Sequence, residues 1–435
     1  MASCLMVWMN GRRVGAWTRA RGNSTFHYDA NWAAATDRRR LSLSLDFTPN
    51  NAPHRGRVVD NYFDNLLPDS VSIRRRLQSR LGTESQDAFD LLTAIGRDCV
   101  GAVQLMPDDE EPSDVQRVKY EELDEAAVEK VIATTLSGGR TLGNSDDEEL
   151  RISIAGAQEK TALLRFKDKW CRPIGATPTT HILKLPLGLI GNLQADMKDS
   201  VENEWLCLQL LKAFGLNTTN ADIAEFGKYK VLVVERFDRV WQGTKWIARR
   251  PQEDFCQALG LPSVRKYEKD GGPGTKALLD VLAFSATAAQ DRRDFVKGQI
   301  LFWLLAATDG HAKNFSLFHG AGGNYRMTPY YDVLSAWPII GSGPNHLAWQ
   351  KAELAMAVRS KNAHWKLKDI RPRHWEGMAR AAGLQDAEGL IDEVLTQVPS
   401  VLAQVGANLP KNFPMRITDK IFAGIEQQAK VLAAS

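Results

Sequence analysis

Residues 308–314 read Thr308-Asp309-Gly310-His311-Ala312-Lys313-Asn314, and the reading of this stretch decides the fold. Asp309 and Asn314 stand five residues apart, the spacing of Asp and Asn in the protein-kinase catalytic loop H-R-D-L-x-x-x-N. Phosphoryl transfer needs a carboxylate to accept the proton of the attacking hydroxyl, and an amide oxygen to hold magnesium on the phosphates. One short loop presents both. Gly310 allows a sharp turn after a helix expected to end near Thr308. Taken alone the pair is a weak signal, because Asp and Asn also close helix ends through local turn hydrogen bonds. The rest of the chain has to decide.

Downstream, Pro329-Tyr330-Tyr331-Asp332 follows a short strand-like stretch, Tyr325–Thr328. Kinases place their second metal ligand there, as the Asp of D-F-G. The motif here is Y-Y-D, so a Phe switch of that type is absent, while Asp332 keeps the carboxylate. Upstream, Lys184 sits between Leu183 and Leu185 in an apolar strand. A charge in that setting needs a reason, and reaching the phosphates of a nucleotide is one; an edge-strand lysine facing water is the bland one. The helix starting near Val201 offers Glu202 and Glu204 as partners for Lys184, and the pattern does not choose between them. The small-residue loop Ala155-Gly156-Ala157-Gln158-Glu159-Lys160 lets backbone N–H groups approach phosphates, though a tight hairpin turn would use the same residues. It matches neither G-x-G-x-x-G nor a Walker A loop. After the strand Val231–Glu235, Arg236-Phe237-Asp238 stands where a kinase hinge offers backbone groups to adenine.

The chain has 435 residues, 44% apolar, with a net charge of +3. That suggests two or three units and no global polyanion-binding signature. The five cysteines form no CxxC pair, so neither a zinc site nor a disulfide framework is indicated. The start, MASCLMVWMNGRRVG, lacks the basic-then-apolar order of a signal peptide, and no apolar run is long enough to span a bilayer. A cytoplasmic protein without a membrane partner is expected. Leu5–Met9, Asn10-Gly11 and the stretch with Val14 and Trp17 predict a hairpin with a type I′ turn. A helical pattern runs Asp60–Leu81, another Ala88–Ile95, and Val100–Met106 reads as a strand. Strands are expected at Arg151–Ile154, Thr161–Phe166, His181–Leu185 and Val231–Glu235, with a helix over Val201–Phe214. After about Gln252 helical patterns dominate: Asp291–Thr308, Trp375–Ala382, Asp386–Val405 and a last helix. The expected fold is α+β: a bilobal, protein-kinase-like molecule with a mixed α/β N-lobe and a mainly helical C-lobe. An extra N-terminal subdomain would occupy residues 1–145, a β-rich kinase unit 146–252, and the C-lobe 253–435.

RISIAGAQEKTALL, PTTHILKLP, VVERFDR, PQEDFCQ, LLAATDGHAKNFS and TPYYDVLSAWP together resemble the HipA family of toxin kinases. The resemblance extends over VWMNGRRVG, NYFDNLLPDS and IGRDCVGAV to the C-terminal helices. It implies a serine/threonine protein kinase that uses ATP and Mg2+. Asp309 would be the catalytic base, with Asn314 and Asp332 as metal ligands. Lys184, the loop Ala155–Lys160 and the loop His311–Asn314, with Ala312 and Lys313, would contact the phosphates. Glu235, Arg236 and Phe237 would frame adenine, with Gln252 and Tyr331 near the nucleotide. Ser153 would be an autophosphorylation site that switches the kinase off, and phosphate beside a phosphate-binding loop would repel ATP. The resemblance also implies glutamate–tRNA ligase as protein substrate, slowing translation. It implies a HipB-type helix-turn-helix antitoxin as partner, and operator DNA reached mainly through that antitoxin.

Arg380 matches a basic position that meets DNA in the family, whereas a second such position falls at Gly383. The stretch with Arg359, Lys361, Lys366, Lys368, Arg371 and Arg373 reads equally as a DNA-facing patch or as a solvated helical face. Two other functions fit parts of the pattern. A small-molecule kinase would use the same loop, but would not be expected to phosphorylate Ser153. A nucleotide-binding corepressor would transfer nothing, yet Asp309, Asn314, Asp332 and Lys184 are all present. The segment Gly188–Lys198 is a candidate activation segment.

Overall fold

The computed structural model describes residues 3–137, 158–191 and 193–434. The expected strand Arg151–Ile154, with Ser153, and the loop residues Ala155, Gly156 and Ala157 lie outside the described residues.

The chain opens as the expected hairpin, β1 (Ser3–Met9) and β2 (Arg12–Ala20). Asn10 and Gly11 both have positive φ, 50° and 80°, as a type I′ turn requires. Strands β3 (Asn23–Tyr28), β4 (His54–Arg55) and β5 (Val103–Pro107) complete an antiparallel sheet in the order β4-β3-β2-β1-β5. Helix α1 (Ala30–Ala34) follows β3. The single helical pattern expected over Asp60–Leu81 is two helices, α2 (Arg57–Asp64) and α3 (Val71–Leu81). Pro68 lies in the break, and Ser70 caps α3 by accepting from the Ile73 N–H. Helix α4 (Ala88–Ile95) ends at Gly96 as expected. Trp17, Phe26, Tyr62 and Phe63 fill a core of their own beneath this sheet.

The second sheet holds β6 (Tyr120–Leu123), β7 (Lys160–Phe166), β8 (Lys169–Pro173), β9 (His181–Lys184), β12 (Ala221–Phe226) and β13 (Tyr229–Glu235) in the order β12-β13-β9-β7-β8-β6. Helix α5 (Glu125–Ser137) packs on it. The unit expected over 146–252 therefore takes its edge strand and a helix from residues placed in 1–145. A small hairpin, β10 (Gly188–Ile190) and β11 (Ala195–Met197), occupies the candidate activation segment. Helix α6 (Ser200–Ala213) follows, buried nearly all round, between this sheet and the C-lobe core.

Beyond the hairpin β14 (Arg239–Gln242) and β15 (Trp246–Arg249), the chain enters the C-lobe through β16 (Gln252–Asp254) and α7 (Phe255–Ala258). Helices α8 (Thr275–Leu282) and α9 (Ala288–Leu304) lead to the loop around Asp309. Strands β17 (Ser316–His319) and β18 (Tyr325–Met327) pair with β16 into a three-stranded sheet under that loop. The hairpin β19 (Glu353–Arg359) and β20 (Ala363–Lys366) was not expected. The run ELAMAVR is rich in good helix formers, and tertiary burial overrides that preference. Helices α10 (Pro372–Ala381), α11 (Ala387–Ala407) and α12 (Met415–Ala433) close the lobe. No helix among the described residues is long and apolar enough to cross a membrane.

One polar cluster joins the first unit to the second. Asp98, just after α4, accepts from Arg239 (2.8 Å), Arg249 (3.1 Å) and Thr179 (2.7 Å). Asp238 takes Arg236 (2.9 Å) and the Gly101 N–H (2.7 Å). Further guanidinium hydrogens go to the Thr179 hydroxyl and to carbonyls of Cys99, Gly101, Ala176, Thr179 and Asp238. All five charged side chains are buried. Burial opposes the Asp98 charge, but three guanidinium groups outweigh it and hold its carboxyl well below the ordinary range.

Breaking such a cluster on one side strands buried charge, so Asp98→Ala is expected to cost about 3–5 kcal/mol in urea unfolding. Because the folded Asp98 pKa is depressed, its contribution is present above pH ~4 and lost as pH falls further. The parent and the variant should therefore converge in stability toward low pH.

Candidate active site

The cleft between the second sheet and the C-lobe gathers the residues singled out from the sequence. Lys160, Lys184, Glu235, Arg236, Phe237, Gln252, Asp309, His311, Lys313, Asn314, Tyr331 and Asp332 line one cavity. Gln158, Glu159 and Ala312 lie off its wall. Gln158 donates to the Leu185 carbonyl, Glu159 pairs with Arg76 on α3, and Ala312 is packed in the C-lobe core.

Lys184 ends β9, and its ammonium is buried between Glu204 Oε1 (2.7 Å) and Asp332 Oδ1 (2.9 Å). The tertiary packing thus settles the choice that periodicity left open. Glu204 reaches Lys184, while Glu202 takes Lys230 on β13 (2.7 Å). Burial works against the Lys184 charge, but the carboxylates of Asp332 and Glu204 hold it above its ordinary range. Lys160 lies directly opposite Lys184 across the β7–β9 ladder. Burial, and then the Lys184 charge, push its pKa down to about 8. Two ammonium groups face the cleft side by side, an arrangement that favours a polyanion between them.

Asp332 has φ 58°. This left-handed conformation costs a non-glycine residue about 1–2 kcal/mol, and Lys184 and Asn314 hold it in place. Asn314 Nδ2 donates to Asp332 Oδ2 (3.0 Å), and Asn314 Oδ1 accepts from the His311 N–H (3.2 Å). Burial opposes the Asp332 charge, yet Lys184 and Lys160 keep its carboxyl well below the usual range. A carboxylate and an amide oxygen are hard-oxygen donors of the kind magnesium takes together with phosphate oxygens. Here Asn314 turns its NH2 to Asp332 and its oxygen to the His311 N–H, so holding a cation with both side chains requires the amide to turn over.

Asp309 stays open to the cleft, and enclosure by its walls raises its pKa, opposed by a hydrogen bond from Tyr267 (2.6 Å). The helix before it ends at Leu304 rather than near Thr308. The sharp turn is made by Ala306 (φ 48°), not by Gly310. Gly310 is required for space, because a Cβ there would lie 2.5 Å from the Phe302 ring. His311 is buried, and desolvation followed by the Lys266 charge lowers its pKa to about 3, so its ring is neutral.

Lys313 has spent its ammonium. It donates to Asn65 Oδ1 (2.7 Å), the Asn65 carbonyl (3.1 Å) and Asp254 Oδ2 (2.8 Å). These three acceptors exhaust an ammonium's donors. Arg236 turns its guanidinium away into the Asp98 cluster and reaches the cleft through its other atoms. Phe237 packs edge-on to Phe318 and tilted to Tyr331. Gln252 Oε1 is buried with no hydrogen-bond partner among the described residues, an acceptor left for a ligand's donor. The cavity also takes Asn65, Asp69, Asp254 and Lys266, which the sequence reading did not single out. Asn65 and Asp69 lie in NYFDNLLPDS, whose run of polar residues was the available signal. Arg380 is exposed on α10 and far in sequence from the cleft, beside Glu376 (3.4 Å).

Glu204→Gln removes a buried charge-assisted hydrogen bond and should cost about 1.5–3 kcal/mol in urea unfolding. Glu202→Gln, whose partner Lys230 is 42% exposed, should cost under ~1 kcal/mol.

The model of the HipA N-terminal domain matches residues 5–106, and that of the HipA-like C-terminal domain matches residues 152–402, more than half of the chain. A curated relative from Sinorhizobium fredii, named "Putative kinase Y4mE", is 32% identical over 87% of this chain and 86% of its own. The "Serine/threonine-protein kinase toxin HipA" of Shewanella oneidensis is 29% identical over 71% of this chain and 69% of its own. Among solved structures, HipA from the Shewanella oneidensis complex of HipA, HipB and operator DNA superposes with a TM-score of 0.77. It covers 99% of this chain and 97% of its own at 23% identity, a likeness of fold. The chain belongs to the HipA family and is a serine/threonine protein kinase of bilobal fold.

Proposed function

We propose that this kinase transfers the γ-phosphate of ATP to a serine hydroxyl, with Asp309 as the base, in the manner of a HipA toxin. The observation that carries this reading is Lys184, fixed by Glu204 and set beside Lys160, facing Asp332 and Asn314 across the same cleft as Asp309. In the reading, Lys184 and Lys160 bind the nucleotide phosphates. The loop Ala155–Lys160 and the backbone of His311–Asn314 add N–H donors. Backbone groups of Glu235, Arg236 and Phe237 take adenine, with Gln252 and Tyr331 closing the site. Asn314 and Asp332 would hold Mg2+, which neutralises phosphate charge when bound. Asp309 accepts the hydroxyl proton, and its raised pKa makes it a stronger acceptor once ionised.

Regulation and partners follow the family. Ser153 would accept phosphate from the same site and silence it. The protein substrate would be glutamate–tRNA ligase, whose phosphorylation stalls tRNA charging. A HipB-type antitoxin would bind the chain and carry it to operator DNA, with Arg380 near the phosphates. The Arg292 guanidinium lies against Gly383, within 3.0 Å of where a Cβ would stand, which supplies a positive charge at that second position. Lys361, Lys366 and Lys368 are exposed, whereas Arg359 is committed to Glu268, so the basic stretch is only partly open to DNA.

Phosphate transfer from ATP-Mg to the purified, initially unphosphorylated chain, mapped by mass spectrometry, tests the reading. Label on Ser153 is expected in the parent, and at least a hundredfold less in Asp309→Gln. ATP binding without any transfer would favour the nucleotide-binding corepressor. Glutamate–tRNA ligase is the first external substrate to assay.

Lys160 supplies a second measurement. At pH 8 it is about half protonated, and phosphates placed beside it raise its pKa, so ATP binding should take up protons. Calorimetry at pH 8 in two buffers of different ionisation enthalpy should show net uptake of up to about half a proton per site. Lys160→Met should abolish it.

A further inference from the structure

We infer that Tyr267 is a positioning residue of the kinase reaction: its phenol holds Oδ1 of Asp309, so that Oδ2 is the oxygen that receives the substrate proton. The inference rests on the kinase reading of Asp309. Tyr267 donates to Asp309 Oδ1 at 2.6 Å, and no other described side chain or backbone group bonds that carboxylate. A carboxylate held by one donor would swing about its last torsion if that donor were loose. Tyr267 is not loose. Its ring meets His311 edge-on at 4.9 Å. Its neighbours clamp the loop on two sides. Ser263 donates to Asp64 (3.0 Å) and Lys266 pairs with Asp69 (2.8 Å), both on the N-terminal unit. On the C-lobe side, Glu268 takes the Ala357 N–H (2.6 Å) and Arg359, and Lys269 pairs with Glu353. The phenol is therefore presented by a loop tied to both units.

With Oδ1 occupied, the balance of the step is fixed. The substrate oxygen bonds to the γ-phosphorus, the bond from that phosphorus to the bridging oxygen breaks, the hydroxyl proton passes to Asp309 Oδ2, and ADP leaves. Tyr267 keeps its own proton throughout. Its pKa is raised by burial and by the Asp309 charge, which suits a permanent donor. The charged groups facing Asp309 are Lys266 from the same loop, Asp332 after β18, and Asp69 from the N-terminal unit.

The experiment compares the full-length parent with Tyr267→Phe, which keeps the ring and removes only the hydroxyl. Phosphate incorporation is followed against ATP concentration and pH, and fluorescent-ATP binding is measured in parallel. The expected result is a maximal rate at least tenfold lower, with half-saturating ATP within twofold of the parent. The acid limb of the rate profile should also move to higher pH, because the lost hydrogen bond stabilised the carboxylate. An unchanged maximal rate overturns the positioning role and leaves the kinase reading intact. A faster variant also overturns it, since the phenol would then be competing with the substrate hydroxyl. A parent that binds ATP but transfers nothing overturns both.

Discussion

The structure turns on a buried cluster of three guanidinium groups and two carboxylates. Asp98 and Asp238 together cannot neutralise Arg236, Arg239 and Arg249, and the net excess charge is spread over carbonyls of Cys99, Gly101 and Ala176. Such a cluster is tolerable only when every donor and acceptor is matched, and it then admits one arrangement. Its geometry fixes two things at once. It locks the N-terminal unit, through Asp98 and Gly101, to the second sheet. It also fixes the path of the chain after β13, because Arg236 and Asp238 flank Phe237, the residue that faces the cleft. Gly101 belongs to the same device. Its φ is 76°, and a Cβ there would lie 2.9 Å from the Gln252 carbonyl, so only glycine lets the two units close on the cleft.

The cleft itself is an exercise in unequal charge. Lys160 and Lys184 face each other across antiparallel strands, and Glu204 and Asp332 both bind Lys184. Burial and the Lys184 charge together make the Lys160 charge the less secure of the two. Asp332 accepts a strained backbone and keeps a side chain 36% exposed to the cleft. The site is thus poised toward an anion that would sit between the lysines and an added cation that would sit on Asp332 and Asn314.

Much of this was legible in the sequence, and the limits were physical. Lys184 stood out because a charge inside HILKL is costly, and Asp309, Asn314 and Asp332 because their order matches a chemical requirement. The hairpin at Asn10-Gly11 and the helix over 200–213 follow from local rules of turn chemistry and periodicity. Glu204 could not be separated from Glu202, because α6 is buried on nearly every side and so carries no amphipathic stripe to read. The β19–β20 hairpin was hidden by helix-forming residues whose strand conformation is imposed by packing. Gly310 was read as a turn glycine, when its role is to clear Phe302. Lys313 looked like a phosphate ligand, since nothing local shows that Asn65, 248 residues away in the chain, takes its ammonium.

That last contact changes the meaning of the N-terminal unit. Asn65 and Asp69 come from the short break between α2 and α3, the place where Pro68 interrupts what would otherwise be one helix. The break turns polar groups toward the C-lobe: Asn65 to Lys313 and to the Leu261 carbonyl, Asp69 to Lys266, Asp64 to Ser263. Each of these partners lies on a loop that carries an active-site group, either His311–Asn314 or Leu261–Gly271. A continuous helix over Asp60–Leu81 could not present them, because backbone bonding would consume the segment and its side chains would point around a cylinder. The extra unit therefore does more than decorate a kinase fold. It supplies the far wall against which the loop around Asp309 is braced, and the active site is built from three parts of the chain rather than two.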